Sequence, residues 1–541
     1  MMSQTHPFTN WSARSCAILL VVGFVGLVSA TAAHSFSIAF KQGIAEAARS
    51  DRSITDFYRL QGYAPVWTDP DKGPARRQAL FVAIDRASLH GIPAGRYDTN
   101  ALAQVLGEAR SDRDLGAVEV SLTRTFLRLA RDLQTGFLDP REVVEAIKRD
   151  VEPSAVSTLL NGFIGSDPHV FMTTLPPTTP EYRALLREKL RLEAIIERGG
   201  WGPSLRVRKL EPGDSGAAVV ALRDRLNAMG YVTQSVAARY DLTLEAAIRT
   251  VQADHGLEVD GIAGKSTLTA INRSAPDRLK AVLVAMERER WLSAVGDRGA
   301  RHILVNLADF SARVFDDGTQ TFYTRAVVGM NRNGPRSPEF SDEMEHMVIN
   351  PTWHVPRSIA VKEYLPKLRA NPNAVGHLRM VNSRGQVVSR KNIDFSAYGP
   401  RSFPYAMKQP PSSSNALGLV KFMFPNEYNI YLHDTPHKKL FARETRAYSH
   451  GCIRLSDPFG FAYHLLARQE ADPEAFFQAT LDTGRETYVD LDQTVPVHII
   501  YRTAVSDARG KIGYRADVYG RDAKIWKALA RTGVSLPGLQ G

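Results

Sequence analysis

The chain has 541 residues, too many for one hydrophobic core, so two to four domains are expected. Hydrophobic residues make up 44% and charged residues 23%, which excludes wholesale disorder. With 68 Lys and Arg against 57 Asp and Glu, the formal charge of +11 suits a polyanionic setting such as nucleic acid, anionic lipid or an acidic wall polymer. No basic run with interleaved aromatics and no nucleic-acid motif occurs, which argues against nucleic acid as the partner.

The N-terminus carries an apolar run from Cys16 to Val28, with Arg14 before it and Ala30-Thr31-Ala32 after it. A positive flank, a short apolar stretch and an A-x-A site predict a secretory signal over residues 1–33, with an inner-membrane anchor as the alternative. The run is short for a span of about 20 residues, and no Cys follows it to take a lipid. Removal of the leader leaves Cys452 as the one thiol, and an odd cysteine in an exported chain is a candidate reactive group.

Residues 34–200 are predicted to be a helical scaffold. Segments such as ALFVAIDRASLHG repeat apolar residues at three- and four-residue spacing. Residues 205–274 are predicted to be a three-helix unit, with Leu222, Leu226 and Met229 on one helix face and turns at Asp260-Gly261 and Ala263-Gly264. The string Gln252, His255-Gly256-Leu257, Asp260-Gly261, Gly264, Thr267 resembles a peptidoglycan-binding repeat.

A linking helix is expected from Arg278 to Trp291, and then the pattern turns to β over a domain at 299–525. HILVNLADFSARVF alternates apolar and polar residues, with a hairpin expected at Asp316-Asp317-Gly318. FYTRAVVGM, EHMVINPTWHVP, GLVKFMFPN, YNIYLHDT and VPVHIIYRTAV read as further strands, rich in Val, Ile, Phe and Tyr. Between two strands, 357–415 reads as an insertion able to cap a site. A last hairpin and a helix near Ala523 to Arg531 follow, with 526–541 as a tail. The fold class is multidomain α+β.

Chemistry concentrates in IYLHDTPHKKLFARETRAYSHGCIRLSDP, Ile430 to Pro458. A thiol attacks carbonyls as thiolate and needs a base to shed a proton of pKa about 8.5. His433, at the end of a strand, is the candidate base. The backbone N–H groups of Gly451 and Cys452 are candidates to hold a tetrahedral oxyanion, and Arg454 offers a planar cation to a carboxylate. His433, His437, His450 and Cys452 could be taken for a zinc set, but Pro436 spoils a helix between the first two and the glutamate of H-E-x-x-H is absent. No metal and no organic cofactor is expected.

His433, followed after fifteen residues by Ser449-His450-Gly451-Cys452-Ile453-Arg454, resembles the signature of the L,D-transpeptidase catalytic domain. The likeness extends to Val348 through Pro356, to Lys421 through Asn426 and to Val518 through Asp522. It implies Cys452 as nucleophile, with His433 as the base oriented by the carbonyl of Asp434. Gly451 and Cys452 amides would form the oxyanion hole, and His450 would shape the site. Ser449, Tyr448, Trp353 and Arg454 would border the substrate. The implied reaction takes a tetrapeptide stem as donor, expels D-Ala to leave a thioester, and joins it to an amine in a 3→3 cross-link in the periplasm. Carbapenems would acylate the thiol. Water as acceptor would make an L,D-carboxypeptidase, and an amine of an outer-membrane protein or lipoprotein is a further acceptor. A wall-binding protein without activity is the rival of another class.

Overall fold

The computed structural model describes residues 36–231, 237–294, 296, 298–331 and 334–537, so the apolar run at Cys16–Val28 lies outside the described residues. Among the described residues, no helix is long and apolar enough to cross a membrane.

Helices fill the chain from Ile38 to Glu197 and close on their own core, where Trp67, Phe126 and Phe163 pack ring to ring. Side-chain caps set the starts of many of these helices. Ser111 and Asp114, for example, form a reciprocal capping box at the head of the Asp112–Thr135 helix. The next unit comprises helices Ala217–Met229, Leu242–His255 and Lys265–Asn272. Gly230 and Gly256 end the first two in the left-handed conformation that spares glycine a Cβ clash.

Helix Ala275–Ala294 differs from the linker expected of it. Every residue from Val282 to Leu292 is buried, including Glu287, Arg288, Glu289 and Arg290. The helix packs against the Pro180–Glu197 helix, the Asp112–Thr135 helix and the last helix, so it is a spine rather than a connector. Its charges are matched: Arg290 meets Glu287 at 2.8 Å, Arg288 meets Glu339 at 2.5 Å, and Glu289 holds Arg298 and Arg502.

The rest is mostly β. Strands β1 (Arg301–Asn306), β2 (Ser311–Asp316), β3 (Thr319–Gly329) and β4 (Phe340–Ile349) lead into the inserted region. The β2–β3 hairpin turns on Asp317 and Gly318, both at positive φ (49° and 77°), which matches the twist of the flanking strands. The inserted region carries β5 (Trp353–His354), β6 (Arg379–Val381), β7 (Val387–Val388) and β8 (Ala406–Gln409) in a four-stranded sheet with a core of its own around Leu365, Leu368 and Phe403. Strands β9 (Val420–Met423), β10 (Leu432–His433), β11 (Ala447–Ser449), β12 (Ile453–Leu455) and β13 (Thr487–Ile500) then complete the central sheet in the order β11-β3-β12-β10-β9-β4-β13-β1-β2. Strand β3 also pairs with β2, which links the two ends of that order.

A hairpin of β14 (Ala504–Ser506) and β15 (Ile512–Tyr514) leads to the helix Arg521–Arg531. That helix runs through the boundary placed at 525. Ile525, Leu529, Val534 and Leu536 are buried, so the stretch from 526 to 537 is part of a core rather than a tail. The core in question also holds Leu222, Leu226, Ile248 and Tyr514, so the three-helix unit and the end of the chain share one interior.

Candidate active site

The site grows out of strand register. Strand β10 lies parallel to β12, pairing Leu432 with Ile453 and His433 with Arg454. It lies antiparallel to β9, pairing His433 with Lys421. Side chains alternate across a sheet, and directly paired residues share a face. Leu432, Phe422 and Ile453 therefore enter the core, fully buried. Lys421, His433 and Arg454 form a row on the other face. One step back along β10 and β12, the amide of Ile453 donates to the carbonyl of Tyr431 at 3.1 Å, which sets Tyr431 beside Cys452 on that same face. Thiol and imidazole thus sit diagonally on adjacent strands, nineteen positions apart in sequence.

A tight turn between β11 and β12 presents Cys452. Ser449 Oγ donates to the carbonyl of Cys452 at 2.5 Å and accepts the amide of Gly451 at 3.2 Å. Ser337 Oγ donates to the carbonyl of Gly451 at 2.5 Å. Gly451 holds φ at 117°, closed to residues with a Cβ. The bonding corrects the expectation for Gly451: its N–H is already given to Ser449, so it is not free for an oxyanion. The amide of Cys452 donates to nothing among the described residues, and Tyr431 brings its hydroxyl within hydrogen-bonding reach of the sulfur.

Burial dominates the electrostatics. It pushes the Cys452 thiol up to about 11, against the opposing pull of Tyr431 and of the Arg454 charge. It pushes His433 down to about 3, helped by Arg454 and opposed by the carbonyls of Asp434 and Leu417. The resting pair is therefore a neutral thiol and a neutral imidazole at physiological pH. His433 Nδ1 bonds the carbonyl of Asp434, which fixes the tautomer and leaves Nε2 as an acceptor. The thiol points at the carbonyl of Asn429, 3.5 Å away. The Asp434 carboxylate is occupied elsewhere, by Lys438 at 2.6 Å and the amide of Leu419 at 2.9 Å. Arg454 makes no ion pair among the described residues, and its Nε is buried without a partner.

Of the expected border residues, Ser449 is buried with its hydroxyl tied into the turn, and Trp353 and Tyr448 stand elsewhere, while His450, expected to shape the site, reaches the inserted region. His450 is exposed and gives Nε2 to Glu363 at 2.6 Å, a residue on a π-helical turn, Ala360–Tyr364, of the inserted region. Trp353 is only 8% exposed and meets Tyr364 edge-on at 6.4 Å, so it belongs to the core of the insertion and not to a cleft wall. Tyr448 alternates away from Ser449 to the exposed side, under the Arg443 guanidinium at 5.2 Å. Two residues of the face were missed: Tyr431, whose ring lies 5.6 Å from that of His433, and Lys421, half-buried with no hydrogen bond or ion pair among the described residues. Alternation in YNIYLHDT puts Tyr431 and His433 on one side of a strand, but their neighbours come from register. His437 is exposed, and no group of three or more His, Cys, Asp or Glu able to hold a metal gathers among the described residues.

Residues 300–499 match the family model of the L,D-transpeptidase catalytic domain, residues 215–271 that of a "Putative peptidoglycan binding domain", and residues 52–190 that of a scaffold domain. A protein of Haemophilus influenzae (strain ATCC 51907 / DSM 11121 / KW20 / Rd), named "Putative L,D-transpeptidase", is 32% identical over 225 residues, 41% of this chain and 45% of that protein. The match therefore spans less than half the length of this curated relative. Among solved structures, an L,D-transpeptidase from Xylanimonas cellulosilytica DSM 15894 is 14% identical, with 54% of this chain and 98% of that one covered at a TM-score of 0.17. One from Stackebrandtia nassauensis is 15% identical, with 55% and 97% covered at 0.21.

Proposed function

We propose that this chain, which carries an L,D-transpeptidase catalytic domain together with peptidoglycan-binding and scaffold domains, cross-links peptidoglycan stem peptides through a thioester on Cys452. The observation that carries the reading is the shared face of β10 and β12, where Cys452 lies diagonal to a His433 whose Nδ1 is tied to Asp434.

In the first half-reaction Sγ attacks the carbonyl at the L-centre of the third residue of a tetrapeptide donor, and Nε2 of His433 takes the thiol proton. Because the thiol starts protonated, this transfer accompanies attack, as general-base catalysis requires. The N–H of Cys452 and the O–H of Tyr431 face the developing oxyanion, a kind of donor worth about 3 kcal/mol each. The C–N bond to D-Ala then breaks, and the imidazolium returns its proton to the leaving amine. In the second half an acceptor amine attacks the thioester and gives its proton to His433; as the C–S bond breaks the imidazolium passes that proton to the departing sulfur, which leaves a 3→3 bond and a free thiol. The row of Lys421 and Arg454 supplies cations for the carboxylates of the stem. The leader expected at 1–33 and the net charge of +11 suit a periplasmic enzyme, with a carbapenem able to acylate the same sulfur.

Purified protein incubated with disaccharide-tetrapeptide tests this by mass spectrometry. Dimer with loss of D-Ala is the expected product. Tripeptide alone would make the enzyme a carboxypeptidase, and unchanged substrate with a free thiol would overturn the catalytic reading.

A further inference from the structure

A cavity of about 750 Å³ lies between the peptidoglycan-binding domain and the catalytic domain, apart from the groups that the reaction uses. Its size is that of a pocket for a small ligand, about 300–1,000 Å³. Phe310, Val284, Val518 and Trp526 give it apolar walls.

The sign of charge it lacks can be read from its lining. The carboxylates are all engaged: Asp277 with Lys280 at 3.0 Å, Asp309 with Arg313 at 2.8 Å, Asp517 with Tyr501 at 2.6 Å, and Asp522 with Arg288 at 3.3 Å. Glu444 accepts the amide of Glu258 at 3.1 Å and the hydroxyl of Ser266 at 2.9 Å. Of the cations, Lys280 is paired with Asp277, and Arg515 donates to the carbonyls of Asp254 and Tyr514 at 2.6 and 3.2 Å, but two others are not so occupied. The side chains of Lys265 and Arg273 line the cavity, are exposed, and make no hydrogen bond or ion pair among the described residues.

Two deeply buried groups in the lining each keep one polar atom without a partner. His255, 6% exposed, gives Nδ1 to the carbonyl of Val251 at 2.9 Å, and its Nε2 meets nothing. Arg278, 7% exposed, lies over the Tyr514 ring at 4.3 Å and donates to the carbonyl of Ala270 at 2.7 Å, but its Nε has no acceptor. A buried polar atom without a partner costs about 1–3 kcal/mol. A ligand with both a carboxylate and an amide N–H would satisfy Arg278 and His255 together.

We propose that this cavity is a second, non-catalytic binding site for a carboxylate-bearing peptide, namely an uncross-linked stem of the wall polymer; this rests on the reading of the chain as a wall enzyme. The site also touches the catalytic loop. Glu444 stands eight residues before Cys452, and Arg446 lies over the Phe310 ring at 5.2 Å while donating to the carbonyls of Asp309 and Phe310. A stem held here is thus held against the segment that delivers the nucleophile.

The test uses the full chain and titration calorimetry. With Cys452→Ala, disaccharide-tetrapeptide is expected to bind at two sites per chain. Adding Lys265→Glu and Arg273→Glu, both exposed and so without effect on folding, should leave one site or weaken the second at least fivefold. The same charge reversals with Cys452 intact should leave kcat on disaccharide-tetrapeptide unchanged. A tetrapeptide with its carboxylates amidated should lose the second site, and bind the catalytic face more weakly because its contacts to Lys421 and Arg454 are lost too. Two unaltered sites after charge reversal, equal binding of the amidated peptide, or equal binding of peptide-free glycan at the second site would each overturn the proposal. Loss of the second site without turnover in any chain would sink the catalytic reading and leave the cavity standing. Turnover with both sites indifferent to the reversals would do the opposite.

Discussion

Two buried polar regions of this molecule are built on opposite terms. Along the Ala275–Ala294 helix, Glu287, Arg288 and Glu289 each face a charge of opposite sign, and Glu287 also accepts the amides of Phe137 and Leu138 at 2.9 and 3.0 Å. On the candidate catalytic face, Arg454 makes no ion pair among the described residues, and the thiol and imidazole are driven neutral by burial. Buried charges that are matched join domains, whereas groups held apart from partners are available to a substrate. Under the proposed function the spine answers to stability and the face to rate, so each can be perturbed separately.

The strongest test removes the sulfur. Cys452→Ala should cut turnover by more than about 10⁴-fold and abolish the carbapenem adduct in mass spectra, while the unfolding midpoint stays put. Retained turnover would break the comparison at its active end. Next in size, Glu287→Ala should destabilise the fold by about 3–5 kcal/mol in denaturant titration, because Arg290 and two amides lose a buried acceptor. Specific activity of the folded fraction should be unchanged, and a large drop in kcat would show that the spine is not separable from the face.

Arg454→Gln should lower kcat/KM by roughly 1.5–3 kcal/mol, the worth of hydrogen bonds to a charged group, with little loss of stability since its Nε is unpartnered. Steady-state kinetics beside thermal unfolding separates the two effects. Glu363→Gln, which breaks an exposed pair with His450, should cost about 0.5 kcal/mol and show as a small rise in KM.

The last expectation is an absence of effect. With the base at about 3 and the thiol at about 11, kcat/KM should be flat from roughly pH 5 to pH 9, and a bell centred near 7 would contradict the neutral pair. Stability has a different profile. The folded His433 binds its proton less readily than an unfolded one at 6.5, so acid favours unfolding from 6.5 down to about 3, and above 6.5 this residue contributes nothing.

Much of the face was legible because its chemistry lies in one short stretch. A histidine ending a strand, and Ser-His-Gly before a cysteine, announce themselves by residue type and spacing. What escaped depends on contacts between distant segments. Lys421 and Tyr431 matter only because β9, β10 and β12 adopt one register. The turn that consumes the Gly451 amide needs the Ser449 hydroxyl to fold back. The spine was misjudged for a physical reason: a run of Glu and Arg normally signals solvent, and its burial is possible only because Glu339, Arg298, Arg502 and Arg521 arrive from elsewhere. The three-helix unit was visible from its periodicity, but its shared interior with Tyr514 and Leu529 was not.

That shared interior bears on how the protein can be dissected. A recombinant fragment begun after Asn272 would strip the cover from Ile512, Tyr514, Ile525 and Leu529, and leave a greasy flank in water. Such a fragment should self-associate during purification. Transplanting the wall-binding part onto another enzyme would likewise require carrying along the hairpin and terminal helix some 240 residues downstream.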